Sequence, residues 1–245
     1  MAFDTAGQII NDALVEVGLT SVTDPFAESD SNVVQMCTFL KSVGREVLHQ
    51  HEWTILRKEH SFTTVFGTST YAMPTDFHSM HDQSGWNRTN RLPLGGPLSP
   101  QEWQYLKARL VGVVFTVLFR PMAGLIYLYP DTNTPGGYNI AFEYQSDGWV
   151  RRPALPADTY HDFPIAVDDI IQFDSLVMSR GLKLAWLKAH GFDTTSAQQD
   201  YETALNFAKG HDSYVPVLSL TRQSPLRGAD QMIGQQSVPI TGFGT

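Results

Sequence analysis

Leu125-Ile126-Tyr127-Leu128-Tyr129 and Tyr138-Asn139-Ile140-Ala141-Phe142-Glu143-Tyr144, separated by Pro130-Asp131-Thr132-Asn133-Thr134-Pro135-Gly136-Gly137, read as two strands joined by a loop. Both runs are rich in Ile, Tyr and Phe, the side chains that suit a pleated, half-buried surface, and the residues between them favour turns. The same extended character covers 54–66 and 111–119, with Pro121, Pro130, Gly136 and Gly137 expected as turns. One helical turn is expected inside this region. Ser99-Pro100-Gln101-Glu102 offers a cap, a proline at the first helical position and an acid in the first turn.

On either side the spacing of apolar residues changes from two to three and four. Thr5 and Gln8 form a capping box ahead of Ile9, Ile10, Ala13, Leu14 and Val17, and Gly18 is the expected stop. A second helix is expected from a cap at Ser29, Asp30 or Ser31 to about His51. Gly44 inside it costs about 1 kcal/mol relative to Ala, which predicts either a closely packed neighbouring backbone or a weak point. After Pro164 a long helix is expected, with Asp168 and Asp169 near its start. Ile170, Ile171, Phe173, Val177, Leu184, Ala185 and Leu187 would form its apolar face, with Lys183 and Lys188 in later turns and Gly191 as its end. A last helix is expected over 195–208, with Ala197, Tyr201, Ala204, Leu205 and Ala208 on one side and Gly210 closing it.

These readings give an α+β chain: an antiparallel helical bundle from the N- and C-terminal helix pairs, an inserted β-rich, sandwich-like domain and an extended C-terminal arm. The expected partition is a discontinuous helical core of 1–52 and 163–210, a β-rich insert of 53–162 and an arm of 211–245. The arm lacks a sustained period. It still carries Tyr214, Val215, Val217, Leu218, Leu220, Leu226, Met232, Val238, Ile240 and Phe243 among glycines, prolines, glutamines and serines. Alone it buries too little apolar surface to offset an ordering cost of about 1–2 kcal/mol per residue, so it is expected to order against another subunit or partner.

The net charge is -8, and its distribution is uneven. Residues 1–52 hold eight acids and two bases, 53–162 nine of each, and 163–210 six acids and four bases. Tight nucleic-acid binding needs a clustered basic face to displace counterions, and none is legible, so DNA is expected to be tolerated rather than gripped. The longest apolar stretch, 110–119, is half the length of a membrane span. The first residues lack the basic start and apolar run of a signal peptide, so synthesis in the cytoplasm is expected. Cys37 is the single cysteine, which rules out an internal disulfide and a multi-thiolate zinc site, and its helical spacing marks it as a small core residue.

No catalytic signature emerges. His49, His51 and His60 have no metal-binding spacing, since residues two apart on a helix point about 200° away from each other. His78 and His81, flanked by Asp76 and Asp82, could share a ligand only if that stretch were helical. Asp168 and Asp169 face apart at a helix start, where the dipole accounts for their charge. Gly95-Gly96-Pro97 lacks the lysine of a phosphate-binding loop, and Asn87-Arg88-Thr89 is read as a chance glycosylation motif. Trp53, Trp86, Trp103, Trp149 and Trp186 are read first as core and interface residues. No cofactor and no metal is expected.

The order of landmarks resembles a known family. Glu52-Trp53, Phe62-Thr63-Thr64, Tyr71-Ala72-Met73-Pro74-Thr75-Asp76-Phe77, Trp86, Pro93-Leu94 and Trp103 are followed by Leu125 to Pro130, Glu143-Tyr144-Gln145-Ser146, and Leu182 to Gly191 with Trp186-Leu187. Over about 5–209 this is similar to the head-to-tail (portal-to-tail) adaptors of short-tailed bacteriophages, also described as tubular tail protein A-like or packaged-DNA stabilisation proteins. The resemblance implies a structural, non-enzymatic protein of the virion neck, acting in tail assembly and DNA ejection. It implies a ring of twelve copies beneath the portal protein, a lumen passing double-stranded DNA without sequence-specific binding, and a lower surface for tail nozzle, tail-tube or tail-fibre proteins. It implies no membrane anchor. It also implies that the arm reaches the portal, through Tyr214, Val217, Leu218, Leu220, Arg222, Leu226, Arg227, Met232, Ile240 and Phe243. Two alternatives stay open. One is a carbohydrate-binding tail module using Trp86 or Trp103, the other a cell-wall hydrolase using carboxylates that match no motif.

Overall fold

The first helix, α1 (Ala6–Glu16), starts where Thr5 accepts a hydrogen bond from the Gln8 amide (3.3 Å) and Gln8 accepts one from the Thr5 amide (2.9 Å). Two of the four otherwise unpaired amides of the first turn are thereby satisfied. The computed structural model describes residues 3–108, 116–130, 137–154 and 156–212, all within one compact unit, Met1–Ser213. The arm residues singled out from Tyr214 to Phe243 lie outside the described residues, as do 111–115 and 131–136 of the expected strand and loop.

Helix α2 (Ser31–Gln50) is capped by Asp30, whose carboxylate accepts from the Asn32 amide at 2.7 Å. The α1–α2 connection is held by Asn11, which both donates to and accepts from the Val22 backbone at 2.9 Å. A short 3-10 turn, Thr54–Leu56, leads into β1 (Arg57–Thr63), then β2 (Thr70–Ala72), β3 (Phe77–Met80), β4 (Trp86–Asn87), β5 (Leu92–Pro93), α3 (Pro100–Ala108), β6 (Leu118–Met122), β7 (Leu125–Tyr129), β8 (Asn139–Ser146), β9 (Val150–Arg152), β10 (Thr159–His161) and β11 (Ile170–Ile171). Helices α4 (Ser175–His190) and α5 (Thr195–Asp212) follow. The fold is α+β, with five helices and antiparallel sheets among the described residues.

Three sheets form. One runs β1-β8-β4-β5 with β3 also on β8, the second β2-β7-β6, the third β10-β9-β11. β1 pairs with β8 from Arg57 opposite Gln145 to Thr63 opposite Asn139. This register sends Ile140, Phe142 and Tyr144 to one face and Ala141 and Glu143 to the other, as the two-residue period requires. The buried face shares a core with Phe119, Ile126 and Leu128 of the β2-β7-β6 sheet, and Phe62 stacks on Tyr71 at 4.5 Å.

A second core gathers side chains of α1, α2, α4 and α5. α4 packs against each of the other three. Trp53, Trp149, Val150, Ile171 and Phe173 also belong to this core, so β9 and β11 are joined to it. Trp149 stacks on Phe173 with ring centroids 5.6 Å apart.

Several expectations need correction. The helix expected after Pro164 starts at Ser175, capped by Asp174. Ile170 and Ile171 are strand β11, and Phe173 enters the core from the turn between. Asp169 therefore has no helix dipole to serve. Gly210 does not close α5, which continues to Asp212. Pro121 is not a turn. It sits in β6, an edge strand where a missing N–H costs no ladder bond, and the turn lies at Ala123-Gly124, both at positive φ. The atoms nearest to Gly44 belong to a side chain rather than a backbone. A Cβ there would lie 2.2 Å from the Trp149 ring, so the glycine admits an indole to the helix surface.

Candidate functional site

Asp76, within the Tyr71–Phe77 motif, ties the turn before β3 to β1 and β8. Its carboxylate accepts from Lys58 Nζ (2.7 Å), Ser146 Oγ (2.7 Å) and the Tyr144 hydroxyl (2.9 Å). Burial pushes this carboxyl up, and the hydrogen bonds with the Lys58 charge outweigh that and hold it below the usual carboxylate range. Burial and the bond to Asp76 raise the Tyr144 hydroxyl. The motif thus holds the sheet together.

His49, His51, His78 and His81 lie along the seam between α2 and the strands. The His49 and His78 rings lie 4.8 Å apart, and burial followed by the His49 charge lowers His78. His81 Nδ1 is 3.0 Å from Glu52, and His51 Nε2 is 3.3 Å from Asp212. His78 lies in β3, not in a helix, so the spacing that would let it share a ligand with His81 is absent. Among the described residues, no three His, Cys, Asp or Glu side chains gather to hold a metal ion.

Asp168 and Asp169 have separate surroundings. Asp169 is fully buried, and its two oxygens meet Arg152 Nε and Nη2 at 2.8 and 2.9 Å while also accepting from the Ile165 and Ala166 amides. Burial raises this carboxyl, and the Arg152 bonds and the two amides outweigh it and hold it low. Cys37 is half-buried and donates its thiol to the Pro25 carbonyl (3.4 Å), with burial pushing the thiol up. Asn87 is buried and its side chain accepts from the Asn90 amide.

Trp103 is buried, so it offers no face to a sugar, whereas Trp86 is 38% exposed. Trp86 stands opposite Ala141 on β8, whose small side chain leaves a depression of about 500 Å³ lined also by Glu59, Ser84 and Arg88. Arg88 crosses that face to a two-point pair with Glu59.

The last turn of α5 is clamped to the start of the strand region. Asp212 accepts from the Thr54 amide (2.9 Å) and hydroxyl (2.5 Å), and Lys209 reaches Gln50 at 3.2 Å. The chain therefore leaves α5 beside the end of α2. Asp212→Ala is expected to cost about 1.5–3 kcal/mol, the range for lost hydrogen bonds to a charged group. Faster amide exchange in the last turn of α5 and a lower unfolding midpoint would register it, and unchanged values for both would count against the clamp.

Two exposed features on the helical side have opposite character. One is a groove of about 430 Å³ between α1 and α4, lined by Asp12, Val15, Glu16, Ser175, Leu176 and Ser179. The other is a ridge at β10 and the residues after it, where Tyr160, Phe163 and Ile165 are all exposed. Sequence reading found neither, since both depend on which helix faces stay uncovered.

A comparison with family models matches residues 4–227 to the SU10 adaptor protein family. No curated protein matches the chain.

Proposed function

Since the chain belongs to the SU10 adaptor protein family, making it a phage structural adaptor of the head-to-tail junction, we propose that its copies assemble as a ring of twelve under the portal protein. The ring extends the DNA channel and holds the tail on its lower surface. The observation that carries this reading is the extent of the family match, which takes in every described helix and strand and runs past Asp212.

In this reading 1–52 and 163–210 form the antiparallel helical hub, 53–162 the inserted sandwich-like domain, and 211–245 the arm that docks on the portal. The separate sheet core supports an insert, while Trp53, Leu56, Trp149 and Val150 at its two ends pack in the helical core. The portal contact is assigned to Tyr214, Val217, Leu218, Leu220, Arg222, Leu226, Arg227, Met232, Ile240 and Phe243. The acidic excess of the helical segments suits a channel wall, since like charge lets DNA slide without ion pairing. No described helix is long and apolar enough to cross a membrane.

Mixing the full chain with portal rings is expected to give a complex with the mass of a portal plus a ring. A chain ending at Ser213, the limit of the compact unit, is expected to bind about 100-fold more weakly, because the arm's apolar contacts form only on docking. Equal binding by the shortened chain would remove the arm assignment. No complex with the full chain, in native mass spectrometry at micromolar concentration, would remove the adaptor reading.

A further inference from the structure

The outer face of the β1-β8-β4 strands combines two features that folding alone does not require. Trp86 is 38% exposed. Trp53, Trp103, Trp149 and Trp186 each face another aromatic ring, whereas Trp86 has no ring or cation partner among the described residues. Beside it, Glu59 on β1 and Glu143 on β8 stand opposite each other, an arrangement of like charges that costs stability. Each carboxylate keeps its own arginine, since Arg88 meets both oxygens of Glu59 and Arg57 lies 4.0 Å from Glu143. Like charges held side by side next to an unpartnered indole are the kind of departure from local rules that accompanies a functional site.

Trp86, Glu59 and Glu143 line the depression of about 500 Å³ above Ala141, and a second recess of about 290 Å³ shares Ser84 and Glu143 with it. In the first, Arg88 and Arg91 face Glu59 and Glu143. In the second, Arg57 faces Glu52, Asp82 and Glu143, with His81 3.0 Å from Glu52. Across both, four acids meet three arginines and a histidine, so neither an anion nor a cation is selected. A guanidinium and a carboxylate each have more hydrogen-bonding positions than one two-point pair consumes, so the Glu59–Arg88 pair still offers donors and acceptors to a ligand.

We propose that this face binds a neutral oligosaccharide, with one pyranose ring against the Trp86 indole, its hydroxyls on the Glu59–Arg88 pair, and the next unit running past Glu143 toward the second recess. One face of a pyranose presents C–H groups whose positive edge suits the negative face of an indole. Its hydroxyls each donate and accept, which matches an acceptor carboxylate set beside a donor guanidinium. An aromatic wall with a few polar groups that fix orientation is the common make-up of a ligand site. Nucleobases would stack on the same ring, but the phosphates between them need an excess of cations, which these recesses lack. The site goes beyond the adaptor reading and does not depend on it.

Calorimetry of the full chain against neutral hexasaccharides of glucose, galactose, mannose and N-acetylglucosamine tests it. At least one is expected to bind with a Kd on the order of 0.1 mM that changes less than about twofold between low and high salt, because no net charge is neutralised. Trp86→Ala is expected to weaken binding about 30-fold and Arg88→Gln about tenfold, while Trp86→Phe, which keeps a stacking face, stays within about fivefold of wild type. Phe207→Ala removes a 75% exposed ring on α5 and is expected to leave binding unchanged. The Arg88 side chain is half exposed, so Arg88→Gln is expected to keep the wild-type unfolding midpoint and separates lost binding from lost folding. No binding of any of these sugars at about 10 mM, binding that survives both Trp86→Ala and Arg88→Gln, or an affinity that falls steeply with salt would each overturn the proposal. Assembly on portal rings is a separate measurement, so each of these results leaves the adaptor reading intact.

Discussion

Asp169→Ala is expected to destabilise the protein by about 3–5 kcal/mol, the cost of leaving one partner of a buried ion pair alone. The Asp169 side chain is 0% exposed and gathers four donors, two from Arg152 and two from the backbone between β10 and β11. Its own carbonyl accepts from the Ala6 amide at 2.7 Å, so the segment it holds also seats the first turn of α1. Removing the carboxylate orphans a guanidinium and two amides together. Asp169→Asn is expected to cost less, since the amide oxygen retains part of this acceptor role.

The pH dependence has a definite sign. Asp169 is held below its unfolded value of 3.8, so its stabilisation is fully present above that value and is lost as pH falls through the lower folded value. In urea titrations, wild type and Asp169→Asn should differ most above about pH 5 and converge as pH falls through the lowered folded value. A difference that stays constant across that range would mean the pair contributes no charge-dependent stability.

Trp149→Ala is expected to cost a similar amount, about 3–5 kcal/mol, by opening a cavity in the helical core. Trp149 is fully buried and lies between Gly44 of α2 and Phe173. Gly44→Ala provides the coupled test. Alanine favours helix by about 1 kcal/mol over glycine, yet its Cβ would sit 2.2 Å from the indole, and overpacking of this kind costs about 1–3 kcal/mol. The single change is therefore expected to destabilise. In the Trp149→Ala background the clash is gone, so the same change is expected to stabilise by up to about 1 kcal/mol. A double-mutant cycle by chemical unfolding measures this reversal of sign, and additive effects would contradict the contact.

Both predictions concern residues whose importance was hidden in the sequence. Gly44 was legible only as an anomaly in a helix, and the reason for it lies on a residue far along the chain. Asp169 was read with its neighbour Asp168 as an N-terminal helix acid, because local spacing cannot reveal Arg152, which is 17 residues away. Asp212 meets Thr54 across 158 residues, a pairing with no local signature. The seven-residue β1 and eight-residue β8 were found because they are long enough to show extended character. The two-residue strand β11 falls in the stretch that the sequence reads as helix, since Ile170, Ile171 and Phe173 fit a helical face equally well, and the three-residue β9 is too short to show a period of its own.

The sequence by itself determined what depends on neighbours within a few residues. The Thr5–Gln8 box, a cap within Ser29–Ser31 that the structure gives to Asp30, the Ser99–Glu102 start of α3 and the left-handed Gly191 after α4 are all local hydrogen-bond or steric solutions, and the family landmarks rest on such short runs. Only the tertiary structure decided which side chains are shared between distant segments and which faces remain uncovered. The Trp149–Gly44 contact, the Arg152–Asp169 pair, the displayed ridge at Tyr160–Ile165 and the acidic groove of α1 and α4 follow from packing, in which a residue's surroundings are set by whatever the rest of the chain leaves against it.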